Sequence, residues 1–255
     1  MTGGMDKSLN VILYEPGRIM YVTTPKCGSS SMVNLFLTMA GFDPRDRQIR
    51  KLAWAASADG RLAERGLSIR QADTADMLAI RAEHPDHRLM ANIRNPYDRV
   101  LSNYFNKLNR YAKRFDRPTY RYGKLRQFLE GPKSWPLVAR GNAYMQRRLG
   151  FQALLDGLAR HGVGFDAHYA LQCELLALDR LKYDRLFRLE TLDADFRDAM
   201  AAAGLPARAL ARLRAMPRNN RTEYRGDQDR LLTPEARAII ARLYAADFAA
   251  LGYPV

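Results

Sequence analysis

The chain has 255 residues, of which 47% are hydrophobic and 10% aromatic, so it can bury one sizeable core and is not a globally disordered protein. We predict a single domain over residues 1–255, with residues 1–10 as a disordered tail. No run approaches the roughly 18 apolar residues of a membrane-spanning helix. The 41 Lys and Arg against 27 Asp and Glu give a net charge of +14, which attracts anions such as nucleotides, acidic glycans, nucleic acids and anionic lipid surfaces.

Cysteine and histidine usage limits the covalent and metal chemistry that we expect. The only two cysteines, Cys27 and Cys173, imply no disulfide framework and fit a protein of the reducing cytoplasm. The segment Met1–Asn10 lacks the apolar core of a signal peptide. Because the four histidines and two cysteines show no close metal-ligand spacing, we predict no metal-binding residues.

The first predicted structural unit is a strand, a loop and a helix. Gly17–Thr23 has the apolar pattern of a short buried strand. The small residues of Thr24–Ser31 then form a turn, and the apolar segment Ser31–Ala40 forms a helix that ends at Gly41. This order is the local architecture of phosphate-binding α/β proteins.

Two further strands and a closing helix are predicted downstream. Residues 44–87 are charged and Ala-rich, which predicts short helices. Arg88–Ile93 forms the second strand, and Pro96 opens the helix that follows it. Tyr183–Leu189 forms the third strand. Residues 233–251 form the last helix, which begins with a threonine cap, a proline and an acidic residue.

The segment from Pro25 to Ser31 is suited to binding an anion. It joins a predicted strand to a helix N-terminus, where backbone N–H groups and the helix dipole favour negative charge. Gly28 lets the chain approach an anion closely, and Lys26 adds a positive charge. Lys26 precedes the glycine and the serines, which is not the order of a Walker A loop. The serines equally suit a helix cap, and we interpret Cys27 as a small filler residue.

A second candidate anion-binding motif follows the second predicted strand. Arg94 leaves the end of this strand, and Ser102 lies eight residues further on, about two turns inside the next helix. A bidentate guanidinium and a hydroxyl suit a terminal phosphate group. Arg99 is an alternative or additional donor. The simpler interpretation of the same residues is an exposed arginine at a helix N-terminus.

Together the two motifs resemble those of the sulfotransferase superfamily. Pro25–Ser30 resembles the 5′-phosphosulfate loop, Pro-Lys-x-Gly-Thr/Ser-Thr/Ser, and Arg94–Tyr104 resembles the 3′-phosphate motif, Arg-x-Pro-x-x-Arg-x-x-Ser-x-Tyr. Weaker similarities point to the carbohydrate sulfotransferases and their bacterial relatives. His168–Gln172 resembles a His-Trp-x-Pro-Gln segment without the Trp and Pro, Tyr183–Leu192 resembles a Tyr-Asp…Glu-Thr-Leu strand and helix, and Asn219–Arg225 resembles a late loop that closes over the nucleotide.

The resemblance implies a P-loop-like three-layer α/β fold with a central parallel sheet flanked by helices. It also implies an enzyme that transfers a sulfonate group from 3′-phosphoadenosine 5′-phosphosulfate to an acceptor hydroxyl, releasing adenosine 3′,5′-bisphosphate without a metal. Lys26 is then a catalytic residue as well as a ligand of the donor. The residues that would bind the donor are Pro25, Lys26, Cys27, Gly28, Ser29, Ser30, Ser31, Arg94, Ser102 and Arg221.

The base that takes the acceptor proton is assigned to His168, through its place in the degraded His-x-x-x-Gln segment. A structural role for this histidine at a helix N-terminus is an equally open interpretation. His84 and His87 precede a strand, at the end opposite the predicted site, and are discounted. His161 has the position of a helix C-cap. Glu190, at a strand end, is a carboxylate alternative, although the resemblance makes it structural.

The acceptor and two rival functions stay open at this stage. The resemblance favours a hydroxyl of a carbohydrate or glycoconjugate, for which the Arg- and Tyr-rich residues 110–126 are a candidate contact, while lipid-linked and small-molecule alcohols are alternatives. We expect no nucleic-acid partner and no transmembrane segment, and peripheral association with a membrane surface is left open. The rivals are a P-loop phosphotransferase (kinase), which requires Mg²⁺, and a non-catalytic polyanion-binding protein.

Overall fold

A computed structural model describes residues 8–54, 60–105, 151–164, 166–202, 207, 211 and 228–255. The strands in these ranges are β1 Leu9–Tyr14, β2 Ile19–Val22, β3 Leu67–Ala72, β4 Arg88–Ile93 and β5 Arg185–Arg188. The helices are α1 Ser29–Met39, α2 Arg47–Trp54, α3 Gly60–Ala63, α4 Thr74–Glu83, α5 Pro96–Asn103, α6 Phe151–His161, α7 Gln172–Leu175, α8 Leu192–Ala202, α9 Gln228–Leu231, α10 Pro234–Leu243 and α11 Ala245–Leu251. A short 3₁₀ turn, Glu15–Gly17, connects β1 to β2.

The chain divides into two compact units whose segments alternate along the sequence. Among the described residues, the sheet unit comprises 8–54, 60–94, 172–202, 207 and 211, and the helical unit comprises 95–105, 151–164, 166–171 and 228–255. Because neither unit is one continuous stretch, the division does not separate successive domains along the chain. A single domain over the whole chain therefore stays a prediction.

The sheet unit contains one open sheet with the strand order β3-β1-β2-β4-β5. Strands β2, β4 and β5 are parallel, whereas β1 pairs antiparallel with both β2 and β3. The architecture is mixed α/β, with five strands flanked by helices. The predicted parallel sheet is confirmed for β2, β4 and β5 and is wrong for β1 and β3. The P-loop-like, three-layer arrangement stays a prediction.

Strands β1 and β3 are the two that the sequence patterns missed. β1 contains Leu9 and Asn10, so the predicted tail of residues 1–10 is too long at its carboxyl end, and residues 1–7 lie outside the described part of the chain. β3 lies at the sheet edge and exposes Arg70 and Gln71. Its strand conformation depends on pairing with β1, a tertiary contact that local composition does not reveal.

The other predicted elements lie close to their expected positions. β4 matches Arg88–Ile93, and Pro96 is the first residue of α5. The Thr233 hydroxyl accepts a hydrogen bond from the Ala236 N–H at 3.2 Å, which confirms the cap of the last helix. That helix is interrupted at Tyr244, which separates α10 from α11. Tyr244 is fully buried and its hydroxyl donates to the Tyr169 carbonyl, so a tertiary contact accompanies the break.

One face of the sheet forms an apolar core with α1, α2, α3 and α8. The strand residues in this core alternate along β1, β2 and β3, as expected for one face of a pleated sheet. Most of the core residues are Ile12, Tyr14, Ile19, Tyr21, Leu67, Ile69, Met90 and Phe187 from the strands, and Met32, Val33, Phe36, Leu37, Ile49, Phe196 and Met200 from the helices. The loop between β2 and α1 is therefore anchored at both ends by buried elements.

Strand β5 is held beside β4 by Asp184 as well as by the strand ladder. The Asp184 carboxylate accepts a hydrogen bond from the Leu89 N–H at 2.7 Å, and the Asp184 N–H donates to the Leu89 carbonyl at 2.8 Å. The neighbouring Tyr183 is largely buried, which raises the pKa of its hydroxyl. Asp184 thus aligns the third parallel strand.

Two further findings concern helix hydrophobicity and the cysteines. In the ranges that the structure describes, no helix combines the length and apolar character needed to cross a lipid bilayer. Cys27 is buried and Cys173 is half-buried, and no disulfide joins them.

Candidate active site

The loop Thr24–Ser31, here called the Lys26 loop, adopts a turn with two left-handed residues. Lys26 has φ 68° and Gly28 has φ 87°, and α1 begins at the next residue, Ser29. A non-glycine residue in this region costs roughly 1–2 kcal/mol. Successive N–H groups around left-handed residues point to one side and form a concave anion-binding surface. The conformation therefore presents donors at the N-terminus of α1, where the helix dipole adds positive potential.

Short-range hydrogen bonds fix the shape of the Lys26 loop. The Ser29 hydroxyl donates to the Thr24 carbonyl at 2.7 Å, and the Cys27 N–H donates to the same carbonyl at 3.1 Å. A Cβ atom added at Gly28 would lie 3.0 Å from Leu189 Cδ1. Gly28 is thus required both by its φ angle and by the close approach of its neighbours.

Arg94 connects the end of β4 to the Lys26 loop. Its Nη1 atom donates to the Lys26 carbonyl at 3.1 Å. Both residues belong to the sheet unit, so the structure brings together two residues that were predicted from separate motifs. Arg94 is half-buried, and its contact with the carbonyl helps to hold Lys26 in the left-handed conformation.

The side chain of Gln172 links the same two segments. Its carbonyl oxygen accepts hydrogen bonds from the Arg94 N–H at 2.9 Å and from the Cys27 thiol at 3.1 Å. Its amide donates to the Arg94 carbonyl at 2.8 Å. Gln172 is 0% exposed, so a single buried amide satisfies both backbone groups at the end of β4. The sequence singled out this residue only as part of a resemblance and gave it no role.

Asn92 makes a second buried connection to the loop. Its amide nitrogen donates to the Cys27 carbonyl at 3.1 Å, and its oxygen accepts a hydrogen bond from the Tyr21 hydroxyl. Burial, with a smaller contribution from Cys27, raises the pKa of Tyr21, so this hydroxyl stays protonated and donates. The sequence prediction missed Asn92, although a polar residue inside an otherwise apolar strand signals a buried hydrogen-bonded group.

Ser102 and Arg99 lie on α5 in the helical unit. Ser102 is 3% exposed, on the last turn of this helix as predicted. Arg94 belongs to the sheet unit, so a joint phosphate site of Arg94 and Ser102 stays a prediction. Arg99 is 1% exposed and donates to the carbonyls of Ala170 at 2.7 Å and Ala167 at 3.1 Å. Arg99 as an alternative or additional phosphate ligand stays a prediction, and two donors of its guanidinium already bind backbone carbonyls.

The turn that carries His168 is held by side chains at four consecutive carbonyls. Arg99 binds the first and the last of them, Asn103 donates to the His168 carbonyl, and the Tyr244 hydroxyl donates to the Tyr169 carbonyl at 2.8 Å. Such a turn has little freedom to reorient. His168 therefore lies in a hydrogen-bonded turn that precedes α7 and not at the N-terminus of that helix.

Asp166 orients the imidazole of His168. The Asp166 carboxylate lies 2.8 Å from His168 Nδ1 and accepts a hydrogen bond from the His168 N–H at 2.7 Å. With Nδ1–H donating to the carboxylate, Nε2 carries the lone pair of the neutral ring. The sequence prediction missed Asp166, although an aspartate two residues before the residue it binds is the local pattern of an Asx turn.

The remaining predicted residues lie elsewhere. His161 ends α6 before Gly162, whose φ of 76° is typical of a helix C-terminus, as predicted. Glu190 follows β5 and is exposed. Arg221 lies outside the described residues, as do the segments 110–126 and 219–225 of the sequence predictions.

Comparison with known proteins gives one match. The sequence profile described as the Sulfotransferase family matches residues 10–254, nearly the whole chain. No curated protein and no solved structure gives a significant match.

The contacts of Gln172 predict a large loss of stability in Gln172→Leu. Leucine has a similar size but leaves the Arg94 N–H and carbonyl without their partner, and each unpaired buried group costs about 1–3 kcal/mol. We expect the free energy of unfolding to fall by roughly 2–4 kcal/mol in chemical denaturation.

Gln152→Leu is the matched control for this prediction. Gln152 is exposed on α6 and donates to the exposed Asp156, so its replacement is expected to change the free energy of unfolding by less than about 0.5 kcal/mol. Equal stability of the two variants would show that the Gln172 amide does not hold the end of β4.

Proposed function

The chain belongs to the sulfotransferase family, whose members are enzymes of sulfonate transfer, and on that premise we propose that its donor is 3′-phosphoadenosine 5′-phosphosulfate and its acceptor a hydroxyl of a carbohydrate or glycoconjugate. The observation that carries the proposal is the left-handed turn of the Lys26 loop at the N-terminus of α1, hydrogen-bonded to Arg94 at the end of the next parallel strand. This arrangement suits an anionic donor.

The Lys26 loop fits the 5′-phosphosulfate end of the donor. Gly28 permits the left-handed turn that leads into α1, and the first turn of α1 has N–H groups without carbonyl partners inside the helix. Ser29, Ser30 and Ser31 are half-buried in that first turn. We assign the backbone N–H groups and the hydroxyls of Ser30 and Ser31 to the phosphosulfate oxygens. Ser29 would contribute its N–H, because its hydroxyl proton is donated to the Thr24 carbonyl.

Lys26 is assigned to the charge that develops during transfer. The donor supplies an activated sulfonate: the acceptor oxygen forms a bond to sulfur while the bond from sulfur to the phosphate oxygen breaks, and adenosine 3′,5′-bisphosphate leaves. The Lys26 ammonium stabilises the negative charge that appears on the leaving oxygen, and fixed N–H donors of the loop share it. These groups supply the stabilisation without a metal ion.

Arg94 and Ser102 are assigned to the 3′-phosphate. A guanidinium provides several donors in a fixed plane, so one can bind the Lys26 carbonyl while others bind phosphate oxygens. Binding of the 3′-phosphate by Arg94 would then also fix the loop that holds the 5′ end. Arg221 is proposed as a further ligand of the donor.

The base is assigned to His168, and its contact with Asp166 supports that assignment. A base must be neutral, correctly oriented and able to stabilise the positive charge that it acquires. The Asp166 carboxylate on Nδ1 selects the tautomer with an accepting Nε2 and stabilises the protonated ring after transfer. Nε2 would take the acceptor proton, and Asp166 acts as a positioning residue.

Two alternatives are less well supported. A kinase requires a Lys-Ser/Thr order that ligates Mg²⁺, and here Lys26 precedes Gly28 and the serines. A non-catalytic polyanion-binding protein follows only from the charge of +14, which equally serves an anionic donor and an acidic acceptor. A cytoplasmic location is proposed from the two cysteine thiols, and no nucleic-acid partner is proposed.

The donor assignment predicts that adenosine 3′,5′-bisphosphate binds much more tightly than adenosine 5′-phosphate. Loss of charge-assisted contacts to the 3′-phosphate costs roughly 1.5–3 kcal/mol, or about 10–150-fold in affinity. In Arg94→Ala the two ligands should bind with similar affinity, as measured by calorimetry.

Arg185→Ala provides the control, because this exposed arginine lies at the opposite end of the parallel strands. If Arg94→Ala weakens both ligands equally, Arg94 acts only by shaping the loop. Equal affinity of the parent protein for both ligands, or stronger thermal stabilisation by ATP with Mg²⁺, would contradict the proposed donor.

The charge assignment predicts that Lys26→Ala lowers turnover by about 10²–10³-fold, the usual effect of removing one electrostatic donor to the transition state. Stability should change little, because alanine replaces lysine in the same left-handed conformation on a half-buried loop. Single-turnover rates measure the effect, and Lys51→Ala on the exposed surface of α2 is the control. A Lys26 variant that keeps more than a tenth of the parent rate would remove Lys26 from the chemistry.

The base assignment predicts that His168→Ala abolishes transfer and leaves the affinity for adenosine 3′,5′-bisphosphate unchanged. In the parent protein the rate should rise with pH as the imidazole loses its proton. Asp166→Asn should lower the rate and move this rise to lower pH, because the carboxylate no longer stabilises the protonated ring. The measurement is the pH profile of the transfer rate.

His161→Ala is the control, because His161 is exposed at the end of α6. An active His168→Ala variant with the parent pH profile would eliminate this histidine as the base. Lost bisphosphate affinity would instead give His168 a structural role and favour a carboxylate as the base.

A further inference from the structure

Two histidines and a glutamate lie close together at the amino ends of β2 and β4, opposite the ends that carry the Lys26 loop and Arg94. Glu15 opens the turn between β1 and β2, His84 follows α4, and His87 directly precedes β4. Glu15 Oε1 lies 4.0 Å from His84 Nδ1, and Glu15 Oε2 lies 3.3 Å from His87 Nε2. All three residues belong to the sheet unit, and the donor motifs do not use them.

The spacing of these atoms suits a small tetrahedral ion. Ligand atoms about 2.0–2.1 Å from a tetrahedral metal lie roughly 3.3–3.4 Å from one another. The distance between Glu15 and His87 has this value, and one potential ligand atom from each of the three residues lies within 4.8 Å of the others. The third residue, His84, is half-buried, and its Nδ1 atom lies 4.0 Å from the Glu15 carboxylate.

The position of His87 favours a metal ligand over a simple ion pair. His87 is 8% exposed, and the Glu15 carboxylate lies 3.3 Å from its Nε2 atom. Within the described residues, this Nε2 atom has no partner in hydrogen-bond geometry. A buried imidazole nitrogen that faces a carboxylate is a suitable metal ligand.

The backbone around the cluster is fixed before any ion binds. Arg81 donates from Nη1 to the carbonyls of both His84, at 3.1 Å, and His87, so the turn between the histidines is clamped. The Glu15 N–H donates to the Gly66 carbonyl at 2.9 Å. A Cβ atom at Gly66 would lie 2.8 Å from Pro16 Cδ, so the turn that bears Glu15 is closely packed as well.

The positive charges near the histidines have to be offset by the Glu15 carboxylate if a cation is to bind. Arg18 and Arg81 lie close to the histidines and oppose a cation, and Glu15 is the carboxylate that faces both rings. An ion held by imidazole nitrogens and one carboxylate is of the zinc class, since Mg²⁺ and Ca²⁺ prefer sites of oxygen ligands.

We propose that Glu15, His84 and His87 bind one Zn²⁺-class divalent ion, with water as the fourth ligand, and that this ion ties the β1–β2 turn to the α4–β4 turn. The site revises the sequence expectation that no residue binds a metal. The six residues of β4, which span about 20 Å, separate His87 from Arg94, so the ion stabilises the sheet and takes no part in sulfonate transfer.

The test is a titration of the untagged full-length chain with Zn²⁺ after dialysis against a chelator. Competition with a chromogenic chelator measures the affinity, and Co²⁺ in place of Zn²⁺ reports the coordination by its visible absorption. We expect one ion per chain, a four-coordinate Co²⁺ spectrum and a higher melting temperature with Zn²⁺. Glu15→Gln, His84→Gln and His87→Gln should each weaken binding by more than about 100-fold, because even indirect supports of a ligand are worth 10–100-fold.

His161→Gln is the matched control and should bind Zn²⁺ as the parent protein does, because His161 is exposed on α6 in the helical unit. Melting temperatures measured in chelator show whether each variant folds. If His87→Gln does not fold, the variant of the half-buried His84 still tests the site. Absence of stoichiometric Zn²⁺ binding by the parent protein, or parent-like affinity in the folded Glu15 and His84 variants, would overturn the proposal.

Discussion

A single buried amide determines how two parallel strands end. β4 stops at Ile93, and the backbone groups of Arg94 have to be satisfied away from water. Gln172 does this with both ends of its side chain, and the same oxygen accepts from the Cys27 thiol in the loop after β2. The relative positions of Lys26 and Arg94 therefore depend on one side chain that itself would touch no substrate, and anion recognition requires such fixed donors.

The helical unit applies the same physical rule to a different segment. The carbonyls around His168 point at buried side-chain donors, so the turn is rigid although it contains no regular ladder. Arg99 is central to this arrangement, because one planar guanidinium reaches two carbonyls at once. A buried charge would be costly without such partners. With the backbone fixed, Asp166 only has to orient the imidazole, which is a smaller entropic requirement.

Local signals explain what could be predicted from the sequence. The Lys26 loop and the junction of β4 with α5 follow from glycine, proline and the alternation of apolar segments, all within a few residues. The partners of the loop supports could not be predicted. Cys27 and Gln172 are 145 residues apart, and the polar Asn92 inside an apolar strand signals a buried hydrogen bond without identifying its partner. Strand β3 was missed for the same reason, since its partner β1 determines its conformation. The pairing of Arg94 with Ser102 is still known only as a sequence pattern.

The two ends of the parallel strands differ in electrostatic potential, because the neighbouring helices all point the same way relative to these strands. At the carboxyl ends of these strands, the N-terminus of α1 carries partial positive charge, and Lys26 and Arg94 add full charges, so anions are favoured. At the amino ends, α4 finishes beside His84, and its C-terminal carbonyls carry partial negative charge. Glu15 and His87 also lie at the amino ends of the strands. In a parallel strand–helix–strand unit, helix N-termini lie at the carboxyl ends of the strands and helix C-termini at the amino ends. The same helix direction therefore stabilises an anion at the carboxyl ends and a cation at the amino ends.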